Sequence, residues 1–356
     1  MDIRTGLSYG DVLLLPQRSP VDSRSNVSLS TNLTPNLELD TPLLSAAMDT
    51  VTETEAAIAL SEMGGIGTLH RFMSIEEQAG QVRSVKDAGE LVAAAVGINE
   101  EFEARVEATL EAGVDCIMVD VAHGHMERCL DAVSRIDSEF PDAELVAGNV
   151  VTPEAVSDLY SAGADGVKVG VGPGSHCTTR EVTGAGSPQL TAVDDCAQKA
   201  HDLGIHIVAD GGIRTSGDAV KALMAGADTV MMGSFFAGTE EAPGETVTID
   251  GQKFKRSRGM ASTAANENRT DKDLTPDADE GIAGVTEYKG TLADEVEPFL
   301  AGIRSGLSYC GGHDIVAARE NAEFIQVAPS AREREGAHSV FVGVEPETEK
   351  ELAPLQ

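Results

Sequence analysis

The chain has 356 residues, no tryptophan, and 59 acidic against 26 basic side chains for a formal charge of −33. That length suits one large domain or two smaller ones with ample core, and no apolar run is long enough to span a bilayer as a helix. Charge of this size repels DNA and anionic membranes, so no nucleic acid and no membrane is expected as a partner, and an anionic substrate has to be held by local dipoles against the global field.

Eight short β-type runs follow in order, at 42–48, 65–70, 91–97, 115–121, 144–150, 165–171, 206–210 and 229–234, each succeeded by a helix-like segment. Their apolar stretches are nearly continuous, as parallel strands covered on both faces require. Eight strands alternating with helices predict an α/β fold, the (β/α)₈ TIM barrel, with a doubly wound open sheet as the alternative. The joints Ala112-Gly113-Val114-Asp115, Ala162-Gly163-Ala164-Asp165 and Ala225-Gly226-Ala227-Asp228 repeat one design, a helix-ending glycine just before a strand.

The opposite strand ends carry Asp49, Asp120 to Gly124, Asn149, Asp210-Gly211-Gly212 and Gly233-Ser234, at the barrel face where an active site is built. The segment 241–289 fits no barrel unit. Its first part alternates about Asp250-Gly251 and reads as a hairpin, while 259–281 is polar and reads as a mobile flap. A helix near 292–307 completes the last unit, and 1–356 is expected to be a single barrel domain.

The stretch Gly170-Val171-Gly172-Pro173-Gly174-Ser175-His176-Cys177-Thr178-Thr179-Arg180 sets a glycine-rich, phosphate-sized loop against one cysteine. Glycines let backbone N–H groups converge on an anion, and Ser175 adds a hydroxyl. With Gly211, Gly212, Gly233 and Ser234 the loop assembles a phosphate site from the ends of strands six, seven and eight, and Asp210 is placed to accept from ribose hydroxyls. Cys177 needs thiolate character to attack an electrophilic carbon, which the loop amides and a following helix N-terminus favour. Thr179 and the flap residue Glu280 are candidates for moving protons. His123 and His125 flank Gly124 as possible metal ligands, with no third ligand at a recognisable spacing. The five cysteines, at 116, 129, 177, 196 and 310, are an odd number without a Cys-x-x-Cys pair and suggest neither zinc nor a disulfide framework. Cys116 reads as core. Met1-Asp2-Ile3-Arg4 carries no hydrophobic signal core, so a cytoplasmic protein is expected. The scattered acidic residues resemble those of proteins from salt-accumulating organisms, where screening makes self-repulsion tolerable.

Four motifs in one order, Gly170 to Arg180 with Ser45-Ala46-Ala47-Met48-Asp49-Thr50-Val51, Ala209-Asp210-Gly211-Gly212-Ile213 and Arg258-Gly259-Met260, resemble the inosine monophosphate dehydrogenase and guanosine monophosphate reductase family, from about Leu7 to Val327. The resemblance implies a barrel, usually tetrameric, whose cysteine attacks purine C2 of a nucleoside monophosphate to form a thioimidate. It implies Cys177 as nucleophile, Thr179 and Glu280 in proton transfer, and Ser175, Gly212, Gly233 and Ser234 on the phosphate. Asp210 matches the ribose ligand, Gly211 is taken with Gly212 as substrate-binding, and Met48, Asn149, Gly259 and Met260 match the nucleotide pocket. Asp120 and Arg180 match the nicotinamide side, and Gly172, Gly174 and Cys177 the carbonyls that hold a monovalent cation, potassium, in the dehydrogenases. Ser257 departs from the pattern, standing where a tyrosine usually precedes Arg-Gly-Met.

Dehydrogenases generally insert paired CBS modules after the second strand and use an Arg-Tyr pair on a longer flap to activate water. Here no insert occurs, the flap runs 20 residues from Met260 to Glu280, and Arg269 is followed by Thr270. These features imply a GMP reductase using NADPH, with an NAD-dependent IMP dehydrogenase lacking CBS modules as the alternative. Two further classes, a regulator without turnover and a flavin-binding phosphate barrel, leave the cysteine in the loop without a purpose.

Overall fold

The computed structural model describes residues 3–98, 101–262, 265 and 279–334. Eight parallel strands, β1 (Leu43–Ser45), β2 (Ile66–Leu69), β3 (Val92–Val96), β4 (Cys116–Asp120), β5 (Leu145–Val150), β6 (Gly166–Val169), β7 (His206–Asp210) and β8 (Thr229–Met232), close into a barrel in sequential order. Closure comes from β8 pairing back onto β1, with Val230 opposite Leu43 and Met232 opposite Ser45. Each strand lies inside one of the runs read from sequence, and closure decides for the barrel against the open sheet.

The helices that alternate with the strands are α1 (Thr54–Glu62), α2 (Ile75–Asp87), α3 (Phe102–Glu111), α4 (Glu127–Glu139), α5 (Pro153–Ser161), α6 (Gln189–Leu203), α7 (Ser216–Met224) and α8 (Leu292–Tyr309). Local chemistry starts several of them. Ser74 with Glu77, Thr215 with Asp218 and Thr291 with Asp294 form capping boxes on α2, α7 and α8, and Thr152 caps α5 ahead of Pro153. Such caps satisfy orphan N–H groups and contribute about 1 kcal/mol each.

The repeated Ala-Gly-x-Asp joint has a second function beyond ending a helix. Gly113, Gly163 and Gly226 adopt φ of 92°, 105° and 111°, which a Cβ would resist. The aspartates that follow then reach sideways: Asp115 accepts from Val92 N at 2.8 Å, Asp165 from Leu145 N at 2.9 Å and Asp228 from Ile207 N at 2.9 Å. Each carboxylate thus ties the start of its own strand to the start of the preceding one.

Inside the barrel Leu44, Ile66, Cys116, Met118, Val146, Val208 and Met231 form one packed layer, with Leu33 and Leu39 closing its amino end. Those two leucines come from an antiparallel pair, Thr31–Thr34 with Leu37–Leu39, that precedes the first barrel unit and was not anticipated from sequence. All five cysteines are unpaired, and the four other than Cys177 are buried. Burial pushes the Cys116 thiol well above its ordinary value, with the charges of Glu144 and Asp165 adding to it.

The expected hairpin is present, Thr246–Ile249 pairing with Gln252–Arg258 across Asp250 (φ 50°) and Gly251 (φ 83°). A third strand, Ala283–Glu287, adds to it through pairs from Phe254 with Glu287 to Arg258 with Ala283. The return limb of the flap is therefore anchored in a sheet. No described helix is long and apolar enough to cross a membrane.

Candidate active site

Two adjoining cavities open at the carboxyl ends of the strands. The first, about 220 Å³, is lined by the β1 end at Met48, by Gly211 and Gly212 after β7, Gly233 and Ser234 after β8, the Ser175 to Cys177 loop, and Gly259, Met260 and Glu280. The second, about 570 Å³, runs outward past Asn149, Gly172 and Thr179 to Arg71, Phe72, Met126 and Arg128. Asp120, Lys168, Cys177, Asp210, Met260 and Glu280 line both.

Glycine is needed at the inner wall. Gly211 and Gly212 take φ of 91° and 78°, and a Cβ on Gly211 would stand 3.0 Å from Pro173 Cγ. The cysteine loop and the β7 turn can therefore close together, leaving a pocket walled by backbone. Ser175 is exposed on its rim, with Oγ 3.1 Å from His176 Nδ1. Burial holds His176 below the ordinary histidine value, which keeps it neutral near neutral pH.

The thiol of Cys177 donates to Thr179 Oγ1 at 3.1 Å, and that hydroxyl donates to Glu280 Oε2 at 2.8 Å. Three residues singled out from sequence thus form one hydrogen-bonded chain, able to carry a proton between the thiol and a carboxyl group. Thr179 opens a short helix, Thr179–Thr183, and Glu280 arrives on the flap. The flap's two described ends grip each other and the loop: Glu280 N donates to Ala261 O at 3.2 Å, Thr178 N to Glu280 O at 2.9 Å and Ile282 N to His176 O at 3.0 Å. At Gly259 a Cβ would stand 2.8 Å from His176 O, so this close seat depends on glycine. The rest of the flap, with Arg269 and Thr270, lies outside the described residues.

Asp49 pairs with Arg258 through both guanidinium Nε and a terminal nitrogen, which fastens the β1 end to the base of the flap. Arg180 lines neither cavity. Its side chain reaches Val171 O at 3.5 Å and Ser187 O, bracing the loop. The carbonyl of Gly174 accepts from Cys177 N at 3.2 Å, while Gly172 lines the second cavity. Among the histidines raised as metal ligands, His125 is paired with Asp158 at 2.7 Å and His123 is exposed. No metal-sized cluster of three acidic, histidine or cysteine side chains occurs among the described residues.

Lys168 is a site residue that no sequence motif marks. Its Nζ lies 2.7 Å from Asp120 Oδ1 and 2.9 Å from Asp210 Oδ2, in close contact with Asn149 Oδ1, and the residue is 3% exposed. Burial alone would lower its pKa, but the two carboxylates outweigh that and raise it above the ordinary lysine value. For Asp120 burial alone would raise the pKa; the Lys168 charge and hydrogen bond, with Arg71, hold it below the usual carboxylate range. The available signal was a charged residue inside the apolar run Gly166-Val167-Lys168-Val169.

The chain matches the family model described as the IMP dehydrogenase / GMP reductase domain over residues 6–338. It is 36% identical to the inosine-5'-monophosphate dehydrogenase of Nitrosopumilus maritimus, covering 96% of this chain and 100% of that one. It is 34% identical to the GMP reductase of Leishmania donovani, covering 94% and 97%. With the inosine-5'-monophosphate dehydrogenase of Borreliella burgdorferi it shares 39%, covering 95% and 98%. Among solved structures, a cysteine-to-alanine variant of Trypanosoma brucei GMP reductase in complex with guanosine 5'-monophosphate superposes with a TM-score of 0.91 at 32% identity, covering 95% of this chain and 99% of that one. A closed barrel with a cysteine loop facing paired glycine turns, matched along nearly its whole length in both sequence and shape, places this chain in the IMP dehydrogenase / GMP reductase family of purine nucleotide oxidoreductases.

Proposed function

We propose that the protein is a GMP reductase, converting GMP to IMP and ammonia at the expense of NADPH. The observation that carries this reading is the chain from Cys177 through Thr179 to Glu280. Cys177 attacks purine C2, the bond from C2 to the exocyclic amine breaks, and the amine leaves as ammonia after taking a proton from Glu280 through Thr179. When bound, NADPH supplies a hydride to C2; the C–S bond then breaks to release IMP. In sum, GMP, NADPH and two protons give IMP, ammonium and NADP⁺.

The smaller cavity is assigned to the nucleotide, with Ser175, Gly211, Gly212, Gly233 and Ser234 at its phosphate, Asp210 at its ribose, and Met48, Gly259 and Met260 around its base, while Asn149, expected in the nucleotide pocket, lines the larger cavity. The larger cavity is assigned to the dinucleotide, since Arg71 and Arg128 offer cations and Phe72, Ile98 and Met126 offer apolar faces. The flap spacing of 20 residues and the absence of tyrosine after Arg269 remove the water activator a dehydrogenase needs, so hydride is what resolves the thioimidate.

Chain length does not separate the two activities. Alignments extend over 475 positions for the Nitrosopumilus dehydrogenase and 477 for the Leishmania reductase, against 356 residues here, while that with the Borreliella dehydrogenase extends over only 399. Relatives of both names therefore carry segments this chain lacks, and the missing insert favours neither. The second reading, NAD-dependent oxidation of IMP to XMP, is favoured by the identities of 36% and 39% to dehydrogenases.

A paired assay decides: GMP with NADPH against IMP with NAD, each with and without potassium, products resolved by chromatography. IMP formation from GMP supports the reductase. Robust XMP formation, or obligatory potassium activation with NAD reduction, overturns it. Size-exclusion chromatography with light scattering tests the homotetramer implied by the family.

A further inference from the structure

We propose that Lys168 is a positioning residue that couples the two cavities, so that a nucleotide bound against Asp210 strengthens the dinucleotide site at Asp120, and the reverse. The inference rests on the assignment of ligands to cavities made above.

Four neighbouring strands meet at this one ammonium. Lys168 rises from β6, Asp120 ends β4, Asn149 lies in β5 and Asp210 ends β7. Three acceptors surround Nζ: Asp120 Oδ1 at 2.7 Å, Asp210 Oδ2 at 2.9 Å and Asn149 Oδ1. An ammonium has three protons, so its capacity is filled. Asn149 closes the network from the other side, donating to Asp210 Oδ2 at 2.8 Å and to Gly170 O at 2.7 Å. Lys168 itself is 3% exposed, whereas the side chains of Asp120 and Asp210 keep 33% and 21% exposure. Each carboxylate is therefore held by the lysine and presents its remaining acceptor capacity to the adjoining cavities, both of which it lines.

Two carboxylates share one cation, so they compete for it in a site of low effective dielectric. A ribose hydroxyl that donates to Asp210 satisfies part of its charge. The ammonium then shifts its weight to Asp120 and fixes the position of that carboxylate, which lines both cavities, so the gain lies in the placement of the acceptor and outweighs the loss of its charge. A ligand donating to Asp120 does the converse, and the two effects are equal by linkage. A lysine serving only to hold four strands together would alter stability and both affinities without linking them.

The test is equilibrium binding to the full chain by calorimetry, titrating GMP alone and at saturating NADP⁺, the oxidised cofactor preventing turnover. In the parent, NADP⁺ is expected to tighten GMP binding by about threefold or more. In Lys168→Met the two affinities are expected to agree within about 1.5-fold, whatever their absolute values. Retention of the parental ratio in Lys168→Met overturns the proposal, as does a parent with no coupling. If circular dichroism shows Lys168→Met unfolded, the near-isosteric Asp120→Asn cuts the same link from the other end, and a parental ratio in that variant overturns it equally. Failure of the parent to bind either ligand would instead overturn the functional reading, and the proposal with it.

Discussion

Thr179 and Glu280 stand 101 residues apart in the chain, yet the threonine hydroxyl donates to the glutamate Oε2 at 2.8 Å. The contact joins the start of a short helix after β6 to the far end of the flap, and it places a carboxyl group one hydroxyl away from the Cys177 thiol. Glu280→Gln keeps the shape but removes the transferable proton. It is expected to lower kcat by about 10² to 10⁴, the range for general acid and base groups, with little change in GMP affinity. Steady-state kinetics with calorimetric GMP binding checks this, and an unchanged kcat would show Glu280 to be an ordinary surface carboxylate.

Cys177→Ala separates binding from bond formation. The nucleotide pocket is walled largely by the backbone of glycine turns, so GMP is expected to bind with nearly parental affinity while turnover falls by about three orders of magnitude or more. Intact-protein mass spectrometry of the parent under turnover is expected to show a purine nucleotide adduct that the variant lacks. Activity within tenfold of the parent would remove covalent catalysis.

The flap is expected to be unevenly protected. Amides of Gly259, Glu280 and Ile282 donate to Ile282 O, Ala261 O and His176 O, so hydrogen exchange there should be slow even without ligand. Gly259→Ala forces a Cβ toward His176 O and is expected to speed exchange at 279–282 and lower kcat/KM together. Fast exchange at those amides in the parent would contradict the anchored base.

At the other end of the barrel, Asp228 gives a pH-dependent stability. Burial alone would raise its pKa, but hydrogen bonding to His206 and Ile207 N and the charge of Arg319 hold it below the ordinary 3.8. The folded state therefore binds this proton more weakly than the unfolded chain does. The stabilisation is fully present above pH 3.8 or so and is lost as pH falls through the lower folded-state value. Asp228→Asn is expected to cost about 1–3 kcal/mol at pH 7 and progressively less below pH 4, read from thermal melts across pH. Asp165 makes the same backbone contact, but burial raises its pKa, with Glu144 and Asp137 adding to it, so Asp165→Asn should cost less at pH 7. Equal losses for the two variants would show that the backbone hydrogen bond alone sets the energy.

Local chemistry made much of the fold legible in advance. Continuous apolar runs, helix-ending glycines and Asp-Gly at the hairpin act over a few residues, so the strands, the joints and the turn at Asp250 and Gly251 could be read without a neighbour in view. The hairpin carrying Leu33 and Leu39 could not, because nothing local tells a short surface strand from one that closes a barrel. The third strand, Ala283–Glu287, was hidden for the same reason: its residues are largely exposed, and what makes them a strand is the edge offered by Gln252–Arg258.

For the site, local chemistry named the candidates, since a cysteine beside a glycine-rich loop and paired glycines at strand ends are chemical statements in one dimension. Their connections come from the fold. Glu280 among Asp279 and its acidic neighbours looks like solvated surface until the flap base brings it to Thr179, and Arg180, at the end of the motif, has its side chain on the carbonyls of Val171 and Ser187 and lines neither cavity. Lys168 is the clearest case. Its partners lie 48, 19 and 42 residues away, so the network exists only because parallel strands bring residues distant in sequence side by side. A buried charge is stable only with such partners, and those are supplied by closure of the barrel.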